Sequence, residues 1–239
     1  MLRIYCDFDG TAAFRDVGNS LFRTFAGEKS ESIVADYLSG TINARECLAR
    51  ECEALGPVQR KSLEEFVDGF QLDPTFAPFV GFCRSRDIPL TILSDGLDFS
   101  VQRLLANAGL EDVPCFANRA VWSEVANGKE TLTPGFPYRD EHCDLCGNCK
   151  RNHIATLTPD DDAVVYIGDG ISDRCPVRFA DMVFAKNSLI RYCQEQNVSY
   201  WKFDNFDEVR QRLEPLIGRK RIKRRREAMI ARRDLFIAE

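Results

Sequence analysis

The sequence predicts an α/β protein: a parallel sheet flanked by helices, with a small helical insertion after the first strand. Three observations carry that prediction. Leu2-Arg3-Ile4-Tyr5 is a short apolar run that leads into Cys6-Asp7-Phe8-Asp9-Gly10-Thr11. Ile88-Pro89-Leu90-Thr91-Ile92-Leu93 is a second, and it ends in Ser94-Asp95-Gly96. Ala163-Val164-Val165-Tyr166-Ile167 is a third, and it ends in Gly168-Asp169-Gly170-Ile171-Ser172-Asp173. Runs this apolar read as strands buried on both faces. In an open parallel sheet the ligand sits outside the carboxyl ends of the strands, so the three polar endings should converge on one crevice.

The first ending shows what that crevice is for. Alternate side chains of an extended chain share a face, so Asp7 and Asp9 point the same way. Like charges that close repel unless a cation or a shared proton relieves them. Gly10 lets the chain turn at once, and Thr11 offers a hydroxyl and an N–H to an anion. Carboxylates plus a substrate phosphate around a hard cation are how magnesium sites are built. A solvated acidic turn explains this stretch alone equally well; the second and third endings decide against it.

Between the first two strands lie over sixty residues of helical character. Leu21, Phe22 and Phe25 share a face, as do Ile33, Val34, Tyr37 and Leu38, and residues 43–55 carry a stripe through Cys47, Leu48 and Leu55. Ser62 to Phe70 repeats the pattern, with Ser62 as the expected N-cap and Glu65 at capping-box distance. That is too much chain for an ordinary crossover and suits a cap beside the crevice, where it would exclude water. Further along, helices are expected over 74–86, 99–108, 153–157, 176–180, 189–195 and 206–217. Residues 182–185 read as a strand, and Asn127-Gly128 as a hairpin turn between 120–125 and 130–133. Residues 134–149, rich in Pro, Gly and Cys, read as a loop.

With 239 residues, one main domain plus a modest insertion is expected. No apolar stretch is long enough to cross a bilayer. Ten scattered cysteines, several in apolar runs, fit buried thiols in a reducing compartment, so a cytoplasmic protein is expected. Residues 1–217 carry a net charge of −11 and residues 218–239 a net of +6. An acidic body argues against nucleic acid as the main partner. The basic run 219–226 reads as a solvated helix face or frayed tail without interleaved aromatic stacking residues.

Asp7-Phe8-Asp9-Gly10-Thr11, then Ser94 at a strand end, then a lysine, then Gly168-Asp169 with Asp173, resembles the haloacid dehalogenase (HAD) superfamily. The surroundings of Cys146-Gly147-Asn148-Cys149-Lys150 resemble its branch related to phosphoserine phosphatase. The resemblance implies a Rossmann-like core over 1–13 and 75–217, a helical cap over 14–74 and a basic C-terminal helix or tail over 218–239. It also implies a phosphatase of small phosphorylated metabolites, with Asp7 as nucleophile and Asp9 as general acid and base. Mg2+ would be held by Asp7, the Asp9 backbone carbonyl and Asp169, with Asp173 orienting that shell. Gly10, Thr11, Ser94, Asp95 and Gly96 would bind substrate. Lys150 matches the family's lysine, with Lys129 as the alternative. Asp16 is either a substrate contact from the cap hinge or an N-cap. Cys143, Cys146, Cys149 and His153 have spacing compatible with structural zinc, a compact loop of buried thiols being the plainer reading. A phosphotransferase or phosphomutase would share the aspartate chemistry. A non-enzymatic binding module would have no use for the acidic set.

Overall fold

The computed structural model describes residues 1–143, 145–219 and 222–237. The chain starts with β1 (Leu2–Cys6), whose Ile4, Tyr5 and Cys6 are fully buried. Four helices follow: α1 (Val17–Ala26), α2 (Glu28–Leu38), α3 (Ala44–Leu55) and α4 (Arg60–Asp68). Asp16 caps α1 by accepting the Asn19 N–H at 2.8 Å, and Asn43 caps α3 by accepting that of Glu46 at 2.9 Å. Then come α5 (Phe76–Ser85), β2 (Leu90–Leu97), α6 (Asp98–Asn107), and the antiparallel pair β3 (Cys115–Glu124) and β4 (Glu130–Gly135). The chain continues through α7 (Lys150–Leu157), β5 (Ala163–Gly168), β6 (Met182–Ala185), α8 (Asn187–Glu195), β7 (Trp201–Lys202), α9 (Phe206–Leu213) and α10 (Arg226–Ile237).

Internal packing divides the chain into two compact units. One contains Met1–Ala12, Leu72–Leu93 and Lys150–Glu239; the other contains Ala13–Gln71 and Ser94–Cys149. In the first, five parallel strands run in the order β2-β1-β5-β6-β7. The register pairs Cys6 with Ile167 and Gly168 with Ala185, which aligns the polar strand ends. Both faces of β5 are buried, which accounts for its uninterrupted apolar sequence. Phe76 and Phe79 of α5 pack on Phe206 of α9 with ring centroids 4.9 and 5.3 Å apart, and Phe203 adds a third partner.

In the second unit α1 to α4 pack with α6 and the β3–β4 hairpin. Arg103 of α6 grips Asp68 of α4 with two donors, each at 2.6 Å. Residues 58 and 130 form an antiparallel bridge, so the start of α4 is fixed to β4 by backbone. Glu51 of α3 is buried and accepts the Ser30 hydroxyl of α2 at 2.8 Å; burial raises its carboxyl to about 7.

Several expected boundaries move, each for a local reason. α4 begins at Arg60 with Gln59 in the cap position, so Ser62 is a helical residue rather than an N-cap. The bridge at residue 58 sets that start, not a side-chain cap. α9 stops at Leu213 and a 3-10 turn, Glu214–Leu216, follows, because Pro215 has no N–H to give. Residues 176–179 form one 3-10 turn, and β4 extends to Gly135, into the stretch read as loop. β7 is an element the sequence reading lacks, and α10 falls within 218–239, the stretch expected as a basic C-terminal helix or tail. The end of the basic run and α10 are both tied to Asp181, which accepts the Arg225 N–H at 3.1 Å and the Arg232 guanidinium at 3.0 Å. Lys220 and Arg221 lie outside the described residues.

Phe206 is fully buried among three rings, so truncating it leaves a cavity. Phe206→Ala should cost about 3–5 kcal/mol, read as a lower urea midpoint at unchanged slope. A loss below about 1 kcal/mol would contradict this packing.

Candidate active site

The chemistry-bearing cluster of the first unit is assembled by sheet register. Asp7 follows β1 and its N–H donates to the Ile167 carbonyl at 2.9 Å, so the chain after β1 lies beside the end of β5. Asp169 follows β5, and Asp173 lies on the 3-10 turn Ile171–Asp173. Carboxylate oxygens of Asp7, Asp169 and Asp173 all come within 4.8 Å of one another. Lys150, the first residue of α7, enters the cluster and is 3% exposed. Its ammonium donates to Asp7 Oδ1 at 2.5 Å, Asp173 Oδ1 at 2.8 Å and Ser172 Oγ at 3.0 Å. Those three bonds use all of the ammonium's donors.

Asp173 is fully buried and saturated. Its Oδ1 accepts from Lys150 and, at 2.6 Å, from the Tyr166 hydroxyl. Its Oδ2 accepts the N–H groups of Asp169 at 2.8 Å and Gly170 at 3.0 Å. A carboxylate offers about four acceptor positions, so this one is committed to fixing its neighbours. A Cβ on Gly168 would sit 2.4 Å from Asp173 Oδ2, so only glycine lets the carboxylate lie this close to the strand end.

Asp169 is held differently. Its Oδ1 accepts Thr11 Oγ1 at 3.3 Å and its Oδ2 accepts Asn187 Nδ2 at 3.0 Å. Gly10 has φ 71°, and a Cβ there would meet Asp169 Oδ2 at 2.7 Å. The turn after Asp9 therefore needs glycine twice over, for its backbone and for the carboxylate it accommodates.

Three carboxylates against one ammonium leave this pocket short of positive charge. Burial, then Asp173, pushes the Asp7 carboxyl well up, with Lys150 opposing. Asp169 is also raised, by burial first. For Lys150 burial works against the charged form, but Asp173 and Asp7 outweigh it and hold the ammonium above its ordinary range. Hard oxygen donors, close spacing and unrelieved negative charge are what a divalent cation satisfies, so these residues fit one.

In the second unit Ser94 is fully buried and its Oγ accepts the Gly96 N–H at 3.0 Å. Two asparagines clamp this turn. Asn148 Nδ2 donates to the Ser94 carbonyl at 2.8 Å, and the Asn148 N–H donates to Asp95 Oδ1 at 3.0 Å. Asn118 Nδ2 donates to the Asp95 carbonyl at 2.7 Å. Lys129 is exposed at the hairpin tip. Asp9 is half-buried, and its carboxylate lies outside the acidic trio.

The zinc expectation is not supported. Among the described residues the group able to hold a metal is Asp7, Asp169 and Asp173, and Cys143, Cys146, Cys149 and His153 do not form one. Cys149 is buried with its N–H on the Tyr138 carbonyl at 2.9 Å, so cysteine spacing here serves a packed loop. Burial lowers His153 to about 4, as for a neutral packing residue of α7.

Sequence reasoning missed Tyr166, Ser172, Asn187, Asn118 and Asn148. Only Tyr166 carried a usable signal: a hydroxyl inside an otherwise aliphatic buried strand needs a partner.

The chain is similar to known phosphatases. The model of the family described as "Putative Phosphatase" matches residues 2–196. The 2-hydroxy-3-keto-5-methylthiopentenyl-1-phosphate phosphatase of Brevibacillus brevis is 33% identical over 211 residues, 87% of this chain and 93% of its own length. The enzyme of that name from Bacillus cereus is 29% identical over 220 residues, 90% of this chain and 97% of its own. The structure of a phospho-aspartyl intermediate analogue of phosphoserine phosphatase superposes with a TM-score of 0.67 at 18% identity, covering 89% of this chain and 99% of that one. The fold is that of a HAD-type hydrolase. The chain belongs to this phosphatase family and is a phosphoric monoester hydrolase. No helix among the described residues is long and apolar enough to cross a membrane.

His153 supplies a test of its assignment. Its folded value of about 4 lies below the ordinary 6.5, so the unfolded chain takes up the proton first. Stability should therefore fall as pH drops from about 6.5 towards 4, by up to roughly 3 kcal/mol at about 1.4 kcal/mol per unit. His153→Gln should remove that part of the slope in urea melts; an unchanged slope would contradict a buried neutral imidazole.

Proposed function

We propose that this chain hydrolyses a small phosphate monoester through a phosphoryl-aspartate formed on Asp7, with Mg2+ as cofactor. The observation that carries the reading is the ammonium of Lys150 bonded at once to Asp7 and Asp173, with Asp169 in the same cluster. Asp7 Oδ1 holds the lysine, which leaves Oδ2 as the attacking oxygen. The Asp7–phosphorus bond forms as the bond to the leaving oxygen breaks, and the Asp9 carboxyl gives that oxygen its proton. In the second step water attacks phosphorus, Asp9 takes the water's proton, and the Asp7–phosphorus bond breaks to release inorganic phosphate.

Asp7, the Asp9 carbonyl and Asp169 are the groups that would hold Mg2+, with Asp173 behind them. When bound, the ion offsets the charge that repels an anionic substrate. Lys150 stabilises charge on the transferring phosphoryl group, the kind of contribution that dominates in phosphoryl transfer. Thr11, the turn at Gly10 and the Ser94-Asp95-Gly96 turn are read as phosphate-binding elements. Residues 14–74 are read as a cap. The sequence relatives support 2-hydroxy-3-keto-5-methylthiopentenyl-1-phosphate as the substrate over phosphoserine, whose phosphatases match in fold at low identity.

Three variants and two substrates test this. Asp7→Asn should retain the fold and lower kcat below about one-thousandth of wild type. Lys150→Ala should lose about 10²–10³-fold, whereas Lys129→Ala should stay within about twofold. The methylthiopentenyl phosphate should be hydrolysed with a kcat/KM at least about tenfold above that for phosphoserine. Near-normal turnover in Asp7→Asn would defeat the mechanism; a preference for phosphoserine would defeat only the substrate assignment.

A further inference from the structure

The first turn of α8 closes over Asp169 from three directions. Asn187 Nδ2 donates to Asp169 Oδ2 at 3.0 Å, the Leu189 N–H donates to the Asp169 carbonyl at 2.9 Å, and Ser188 Oγ donates to that carbonyl at 3.4 Å. The last two fix the backbone; only Asn187 reaches the carboxylate. Asn187 also sits at φ 49°, in the left-handed region that few side chains other than asparagine tolerate. No side chain caps α8. Asn187 therefore occupies a costly backbone position while its amide serves the acid of the neighbouring loop.

From this we infer that Asn187 is a positioning residue for Asp169, setting the affinity of the acidic cluster for its divalent cation. The inference rests on the reading of Asp169 as a ligand. Asp169 receives one donor on each oxygen, Thr11 on Oδ1 and Asn187 on Oδ2. Each oxygen accommodates about two, so the carboxylate is oriented and still has lone pairs to offer. This contrasts with Asp173, whose positions are all taken.

The donor type matters as much as its place. A lysine or arginine at 187 would neutralise Asp169 and compete with a divalent ion for it. An amide orients the carboxylate without cancelling its charge. The lysine of the cluster bonds instead to Asp7, Asp173 and Ser172. The strand end thus separates two tasks: a fixed cation on one set of oxygens, and neutral donors around the carboxylate that remains available.

Asn187→Gly tests this cleanly, because glycine accepts φ 49° without strain and removes only the amide. Titration of substrate-free protein with MgCl2 by calorimetry should show the dissociation constant rising about 10–100-fold, as for loss of a partner that orients a metal ligand. The magnesium concentration for half-maximal hydrolysis should move by a similar factor, and kcat at saturating magnesium should fall much less. Thermal melts without metal should coincide with wild type. A folded Asn187→Gly protein whose magnesium dissociation constant stays within twofold of wild type would overturn the role of Asn187 alone. Wild-type protein that takes up no magnesium would overturn the cation reading of the site and this inference with it.

Discussion

The buried bond between Lys150 and two carboxylates is the constraint on which the rest of the first unit depends. Taking an ammonium and two carboxylates out of water is costly, and such a set is seldom retained for stability, since apolar residues of similar volume often do as well. Its presence here, 3% exposed at the lysine, marks a site whose purpose is chemical. Every surrounding feature serves to hold it: the β1–β5 register, the Gly168 opening that lets Asp173 lie against the strand, and the Tyr166 hydroxyl beneath.

The cluster is balanced so that something must still bind. Asp173 is saturated by four donors and acts as a fixed anchor for Lys150 and for the loop that begins at Asp169. Asp7 and Asp169 keep oxygens in reserve, and burial drives both carboxyls upward. A divalent cation would relieve this imbalance, and only with it in place does the pocket accommodate an anionic phosphate. The protein supplies an arrangement that is complete only when both are bound, consistent with catalysis by preorganised electrostatics.

Much of this could be read from the residues alone, and the limits have physical causes. The apolar runs before Asp7, Ser94 and Asp169 identify the strands because both of their faces are buried. Asp7, Asp169 and Asp173 could be anticipated because carboxylates at the ends of such runs have no packing role. Lys150 was separable from Lys129 only by its place in the chain; its burial beside Asp7 is a fact of three dimensions. Asn148, Asn118 and Asn187 gave no signal, since asparagine is common in turns and the partners they donate to lie 18 to 54 residues away. The start of α4 was misplaced because a backbone bridge at residue 58 set it rather than a cap. The cysteine spacing suggested a metal because spacing cannot tell a ligand set from a packed loop.

The central claim is that one carboxylate, that of Asp7, carries the phosphoryl group in passing. The most direct measurement is a rapid quench of enzyme turning over phosphorus-labelled substrate, followed by peptide mapping. Label on the peptide bearing Asp7 at early times, decaying as inorganic phosphate appears, is the result this account predicts. Label on a peptide lacking Asp7, or phosphate release with no labelled protein at any time, would contradict it.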